Sequence, residues 1–292
     1  MKTNFFMLAF AFSVVLISCS KDDNDNNATA FTSEETITNS KIDMENDDLS
    51  KIVDEQLTVQ DGIGARVAIP STSFLPVGCA TVVRNPTSGF PSVGGIITKT
   101  ITFDTAGCTM PNGNILKGKI IISIPYQPNA TSHIITCTFE NFYHNQRKVE
   151  GTKIFTRTMT VETPNSPSHP ILSMEMNLTI TLADGRILTR NGTRTTEIIA
   201  GYDTSEWNDN VYSVTGSWQT SYPNLSIKTT TITSPIILKF SCIADNKSIF
   251  SQGVITFSRN NRIASLNYGD GSCDNLATFS INGNSYEIIL GN

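Results

Sequence analysis

Apolar side chains recur along this chain with two different periods, and the change between them falls near its first quarter. From about residue 77 onward apolar and polar residues alternate in short runs, most clearly in Gly95–Phe103 and Met174–Leu182. The runs Ile120–Pro125, Lys153–Val161, Arg186–Ile199, Ile236–Phe240, Val254–Phe257 and Tyr286–Leu290 repeat the pattern. Alternating side chains point to opposite faces of an extended strand. Threonine and other β-branched residues dominate these runs, as suits a pleated, half-buried surface. The dipeptides Asn112-Gly113, Asp184-Gly185, Asn191-Gly192 and Asn282-Gly283 predict tight hairpin turns between them. The expected fold is all-β: a long, strongly twisted antiparallel meander sheet with one short N-terminal helix. The pattern leaves open whether that meander is an open sheet, a sandwich or a partial barrel.

A glycine recurs inside the return strand after a turn, at Gly118, Gly151, Gly192, Gly216 and Gly253, with intervals of 33, 41, 24 and 37 residues. Intervals this irregular argue against a propeller or a strict solenoid and fit bulges or close backbone approaches. Before the strands, Leu49, Ile52, Val53 and Leu57 share one helical face opposite Asp and Glu. This predicts a helix over about 46–60 that docks on the sheet, within one domain spanning 45–292.

The amino terminus follows a third pattern. Met1-Lys2-Thr3-Asn4 is a short basic start, and Phe5–Leu16 is an uncharged, almost wholly apolar run. That run is too short for a membrane span and suits the apolar core of an export signal. It ends in Leu16-Ile17-Ser18-Cys19, which resembles the lipobox of bacterial lipoproteins. The resemblance implies a signal peptide over 1–18, cleavage before Cys19, and lipidation of that cysteine. Several acyl chains at about 0.8 kcal/mol per buried CH₂ make a lasting membrane tether. Residues 19–44 then read as a flexible acidic stalk. Its first part, Ser20-Lys21-Asp22-Asp23-Asn24-Asp25-Asn26-Asn27, resembles the acidic export tag of Bacteroidota-type lipoproteins. The resemblance implies display on the outer leaflet of the outer membrane, with a periplasm-facing anchor as the alternative.

Charge is unevenly placed. Residues 20–61 hold 12 acidic and 3 basic side chains, a net of −9, whereas 62–292 hold 14 and 17, a net of +3. The acidic balance is thus assigned to the stalk. No Lys/Arg stripe stands out in the remainder, and no nucleic-acid partner is expected outside the cell. With Cys19 lipidated, Cys79, Cys108, Cys137, Cys242 and Cys273 remain. Pairing by proximity gives Cys79–Cys108 and Cys242–Cys273 and leaves Cys137 as a buried strand thiol.

The blocks Ile101-Thr102-Phe103-Asp104 with Gly107-Cys108, Phe139-Glu140-Asn141-Phe142-Tyr143 with Val149-Glu150-Gly151, and Tyr268-Gly269-Asp270-Gly271-Ser272-Cys273-Asp274-Asn275 are similar to those of a group of Bacteroidota surface lipoproteins. That resemblance covers roughly 45–292 and implies no particular activity. It adds support for disulfide roles at Cys108 and Cys273.

Catalytic patterns are missing. His133, His144 and His169 form no HExxH or i,i+4 pair, and no nucleophile elbow or phosphate-binding loop is present. His144 reads as a solvated hairpin-turn residue. Asp270 and Asp274 in the glycine-rich 268–274 segment are the candidate Ca²⁺ ligands, against a plain reading as a turn whose aspartates cap their own backbone. No metal or other cofactor is expected. Tyr202, Trp207, Tyr212 and Trp218, with Tyr222 close by, are either core aromatics or a platform for sugar rings. The expected function is a membrane-anchored, non-enzymatic binding or scaffolding module. Its partners are the membrane through Cys19, and a glycan or an outer-membrane protein. A lipid-carrier or chaperone-like β protein, or a hydrolase with an unfamiliar site, are the alternatives.

Overall fold

The computed structural model describes residues 31–60, 73–164, 166–204, 206–223 and 227–290. The signal segment, Cys19 and the acidic tract behind it lie outside the described residues. Thirteen antiparallel strands follow one another in a single open sheet whose spatial order is the chain order. They are β1 (Ala80–Asn85), β2 (Ile96–Thr109), β3 (Ile115–Pro125), β4 (Ser132–His144), β5 (Arg147–Met159), β6 (Pro170–Thr181) and β7 (Ile187–Ala200). After these come β8 (Val211–Ser221), β9 (Lys228–Lys239), β10 (Phe250–Arg259), β11 (Arg262–Asp270), β12 (Leu276–Ile281) and β13 (Asn284–Ile289). The meander expected from alternation is present, as an open sheet.

The helix departs from expectation. α1 runs Ser33–Gln60, 28 residues, so the stretch 33–44 assigned to the flexible stalk is helical. Thr32 caps its start, its Oγ1 accepting from the Glu35 N–H at 3.0 Å. The expected apolar face is buried, with Leu49, Ile52, Val53 and Leu57 wholly covered. The polar faces are covered too: Asn39, Asp43, Glu45, Asn46, Asp47, Asp48, Lys51 and Glu55 are all buried. A sheet curled around α1 explains this, because side chains from β2, β4, β5, β7, β8, β9 and β10 all reach the helix.

Curling brings strands too close for ordinary side chains at particular points. Asn191-Gly192, expected to turn, instead lies in the middle of β7. A Cβ on Gly192 would sit 2.4 Å from the Trp218 Cα, so the glycine serves close approach rather than reversal. Gly151 has φ +112°, and a Cβ there would meet the Asn177 carbonyl oxygen at 2.2 Å. Gly151→Ala should therefore cost at least ~2 kcal/mol in urea unfolding, from φ strain plus a backbone clash. An unchanged midpoint would show that β5 and β6 separate freely at this point.

Cys79–Cys108 and Cys242–Cys273 are bridged, closing 29- and 31-residue separations. Loops of this size are worth roughly 3 kcal/mol each in the chain-entropy model. Cys137 is free and buried in β4, where burial pushes its thiol up to about 12.

Candidate functional site

The inner face of the sheet follows the period-2 rule with one peculiarity. Several inward positions between apolar ones hold cations, as in Leu188, Arg190, Gly192, Arg194, Thr196 and Ile198 on β7. Lys99, Lys153, Arg157, Arg190, Arg194, Lys228 and Arg259 are all buried. Each meets the helix. Arg190 donates to Asp43 at 2.7 Å and Arg194 to Asp47 at 2.8 Å. Lys153 lies 3.3 Å from Glu45, Arg157 3.5 Å from Asp54, and Lys99 donates to the Gln56 carbonyl. At the helix start, Arg259 and Lys228 share Glu35 at 2.6 and 3.3 Å. The net −6 of α1 (eight acids, two lysines) is therefore neutralised largely inside the protein. Its assignment to a solvated stalk is corrected on this point.

His144 is likewise not a solvated turn residue. It is wholly buried, and its Nε2 lies 2.8 Å from Asp48 Oδ2. Arg147 donates to its Nδ1 at 3.3 Å, so Nδ1 accepts and Nε2 carries the proton. Asp48 also accepts from Asn112 at 2.6 Å and Asn114 at 2.7 Å. This fixes the β2–β3 turn against the helix. Elsewhere burial dominates: Asp47 is raised to about 7 and Lys228 lowered to about 7.

The aromatic segment is divided between core and margin. Trp218 is 2% exposed and lies between the Arg190 and Arg194 guanidiniums, 5.3 and 5.5 Å from its ring centre. Tyr212 and Tyr222 are buried, hydrogen-bonded to Lys51 and Asn39 of α1. Trp207 packs edge-on to Phe74 and Phe240, and Tyr202 stacks on His169. The four platform residues thus form no common exposed surface, since filling the curled sheet requires large inward side chains. In the 268–274 segment, Asp270 accepts from the Ser272 N–H and Asp274 from the Leu276 N–H. These are the backbone caps of the plain reading. Among the described residues no cluster of three His, Cys, Asp or Glu side chains is placed to hold a metal ion.

One arrangement superficially suits acid–base chemistry. His169 lies 3.2 Å from Thr160 Oγ1 and 2.9 Å from Glu197 Oε1. Its Nδ1, however, faces the Pro167 carbonyl at 2.9 Å, to which it must donate. It cannot at the same time accept a proton from Thr160. The cluster ties the β5–β6 loop to β7.

With α1 in place, the inner face offers an apolar ligand little room. The cavity between α1 and β6–β9 is about 20 Å³, near the size of one water. Among the described residues, larger spaces open where the sheet does not close around the helix. There Thr109–Gly113 faces Ile243, Lys247–Ile249 and Asn275 across Met44, leaving about 430 Å³. On the other side of the β2–β3 turn, a cleft of about 690 Å³ lies among α1 and the β2–β3, β4–β5 and β6–β7 turns.

No family model, curated protein or solved structure matches this chain. Among the described residues no helix is long and apolar enough to cross a membrane.

Proposed function

We propose that this chain is a lipid-anchored binding or scaffolding module, held on the outer membrane through acyl chains on Cys19 and displayed at the cell surface. The single observation behind the binding reading is that the protein's own helix fills its concave face. Recognition is thereby left to the rim clefts and to the outer edges of β1 and β13, which pair with no further strand among the described residues. Exposed Val83 on β1 and Ile289 on β13 add apolar surface at those edges, where unpaired backbone groups accept a further strand. The anchor rests on the lipobox-like Leu16–Cys19 and the display on the acidic tract behind it.

Two measurements on cells test the proposal. Cys19→Ala should move the protein out of the membrane fraction or leave it uncleaved. Neutralising Asp22, Asp23 and Asp25 together should convert it from protease-accessible to protected. Unaltered anchoring in the first variant rejects lipidation, and unaltered accessibility in the second rejects the address.

A further inference from the structure

We propose that the 690 Å³ cleft beside the β2–β3 turn binds a ligand bearing at least two anionic groups, of the size of an acidic di- or trisaccharide. The inference rests on the binding-module reading above and assigns it a ligand chemistry. The cleft falls within the range that ligand sites occupy, roughly 300–1,000 Å³. Its cations are Lys41 of α1, Lys117 of β3, Arg147 of β5 and Arg186 of the β6–β7 turn.

These four are not equivalent. Arg186 is already committed to Asp184 at 2.7 Å and lies 3.7 Å from Glu34. Arg147 uses one terminal nitrogen on the Lys41 carbonyl and the His144 ring, and its Nε–H is buried without a partner among the described residues. Neither Lys41 nor Lys117 makes an ion pair or a side-chain hydrogen bond among the described residues. Elsewhere on the inner face, the buried sheet cations are met by groups of α1. Here, among the described residues, Lys41, Lys117 and Arg147 line one open cleft, beside the Asp48 network that fixes the β2–β3 turn. Arg147 adds a fixed guanidinium charge and the lysines mobile point charges, a combination suited to carboxylate or phosphate oxygens. The Gln146 amide lines the same cleft and supplies neutral hydrogen-bonding capacity for hydroxyls.

Calorimetric titration of the chain from Ser20 onward, with trigalacturonate in one arm and inorganic pyrophosphate in the other, tests the site. The neutral oligosaccharide of equal length is the control. Saturable binding of at least one anion is expected, weakening as salt is raised. Lys41→Ala with Lys117→Ala should weaken it about tenfold or more, and Lys117→Glu alone should do likewise. Both lysines are partly exposed, so these variants should keep the parent's thermal midpoint, checked in the same samples. The two arms tell a sugar carboxylate from a phosphate. Absence of saturable binding in both arms overturns the assignment, as does equal affinity of parent and double variant. Binding that survives the double variant leaves the module reading standing and moves the site elsewhere. If the parent chain captures no component of a glycan array or outer-membrane extract, the module reading itself fails.

Discussion

Asp43→Ala should lower the folding free energy by about 3–5 kcal/mol, because it leaves the Arg190 guanidinium buried without its carboxylate. Arg190 is wholly buried and Asp43 nearly so, and their bond is 2.7 Å. The other Arg190 donors reach Asn39 Oδ1 at 3.1 Å and Thr220 Oγ1 at 3.3 Å, neither of which neutralises a charge. An exposed pair of the same geometry would contribute at most about 1 kcal/mol, so magnitude separates the two cases. Against a typical total of about 5–15 kcal/mol the loss is large enough to shift a urea midpoint substantially. The pair itself is a different matter. Asp43→Leu combined with Arg190→Met removes both charges and fills similar volume, and should recover most of the loss. A single-variant effect below about 1 kcal/mol would mean that α1 is not held by buried pairing.

That expectation bears on how much of this molecule is legible from sequence. The strands declare themselves because period-2 alternation is local: β6, Pro170–Thr181, buries every second residue through its middle. The apolar stripe Leu49, Ile52, Val53 and Leu57 declares α1 for a similar reason. What it cannot declare is the fate of the opposite face. Asp43, Glu45 and Asp47 look solvated until Lys153, Arg190 and Arg194, more than a hundred residues later, are brought against them. The first half of α1 is hidden in the sequence because its polar residues find partners only through the curl of the sheet. The signal that exists is the cations at inward-facing positions of β5 and β7. Read with strand parity, Lys153 and Arg157 flank Phe155 on the buried face, and Arg190 shares a face with Leu188. His144 departs from expectation for the same reason, since the end of a hairpin strand is ordinarily exposed unless something packs against it. The rim cleft is invisible in the sequence because its residues come from α1 and three separate turns.

Replacing Asp47 with asparagine should remove a pH dependence opposite to that of an ordinary ion pair. Asp47 lies 2.8 Å from Arg194, which by itself would favour the carboxylate. Burial outweighs that attraction, and the Asp43 and Asp48 carboxylates add to it, while Arg194 and Lys153 oppose. The Asp47 Oδ2 atom also has no hydrogen-bond partner. The net result is a folded-state value of about 7 against 3.8 in the unfolded chain. Between those values the folded protein holds a proton that the unfolded chain has released, so stability falls as pH rises through the window. The loss is complete above the folded-state value and on the order of a few kcal/mol. The amide introduced by Asp47→Asn would keep an acceptor for Arg194 and has no proton to lose. The variant should match the parent near about pH 4 and exceed it near about pH 8, the difference growing steadily between. Lys228, lowered to about 7 at the other end of α1, titrates in both proteins and cancels in the comparison. Urea unfolding of both chains across that range measures the difference directly. A variant that is instead less stable at the alkaline end would show that the Arg194 attraction exceeds the cost of burial.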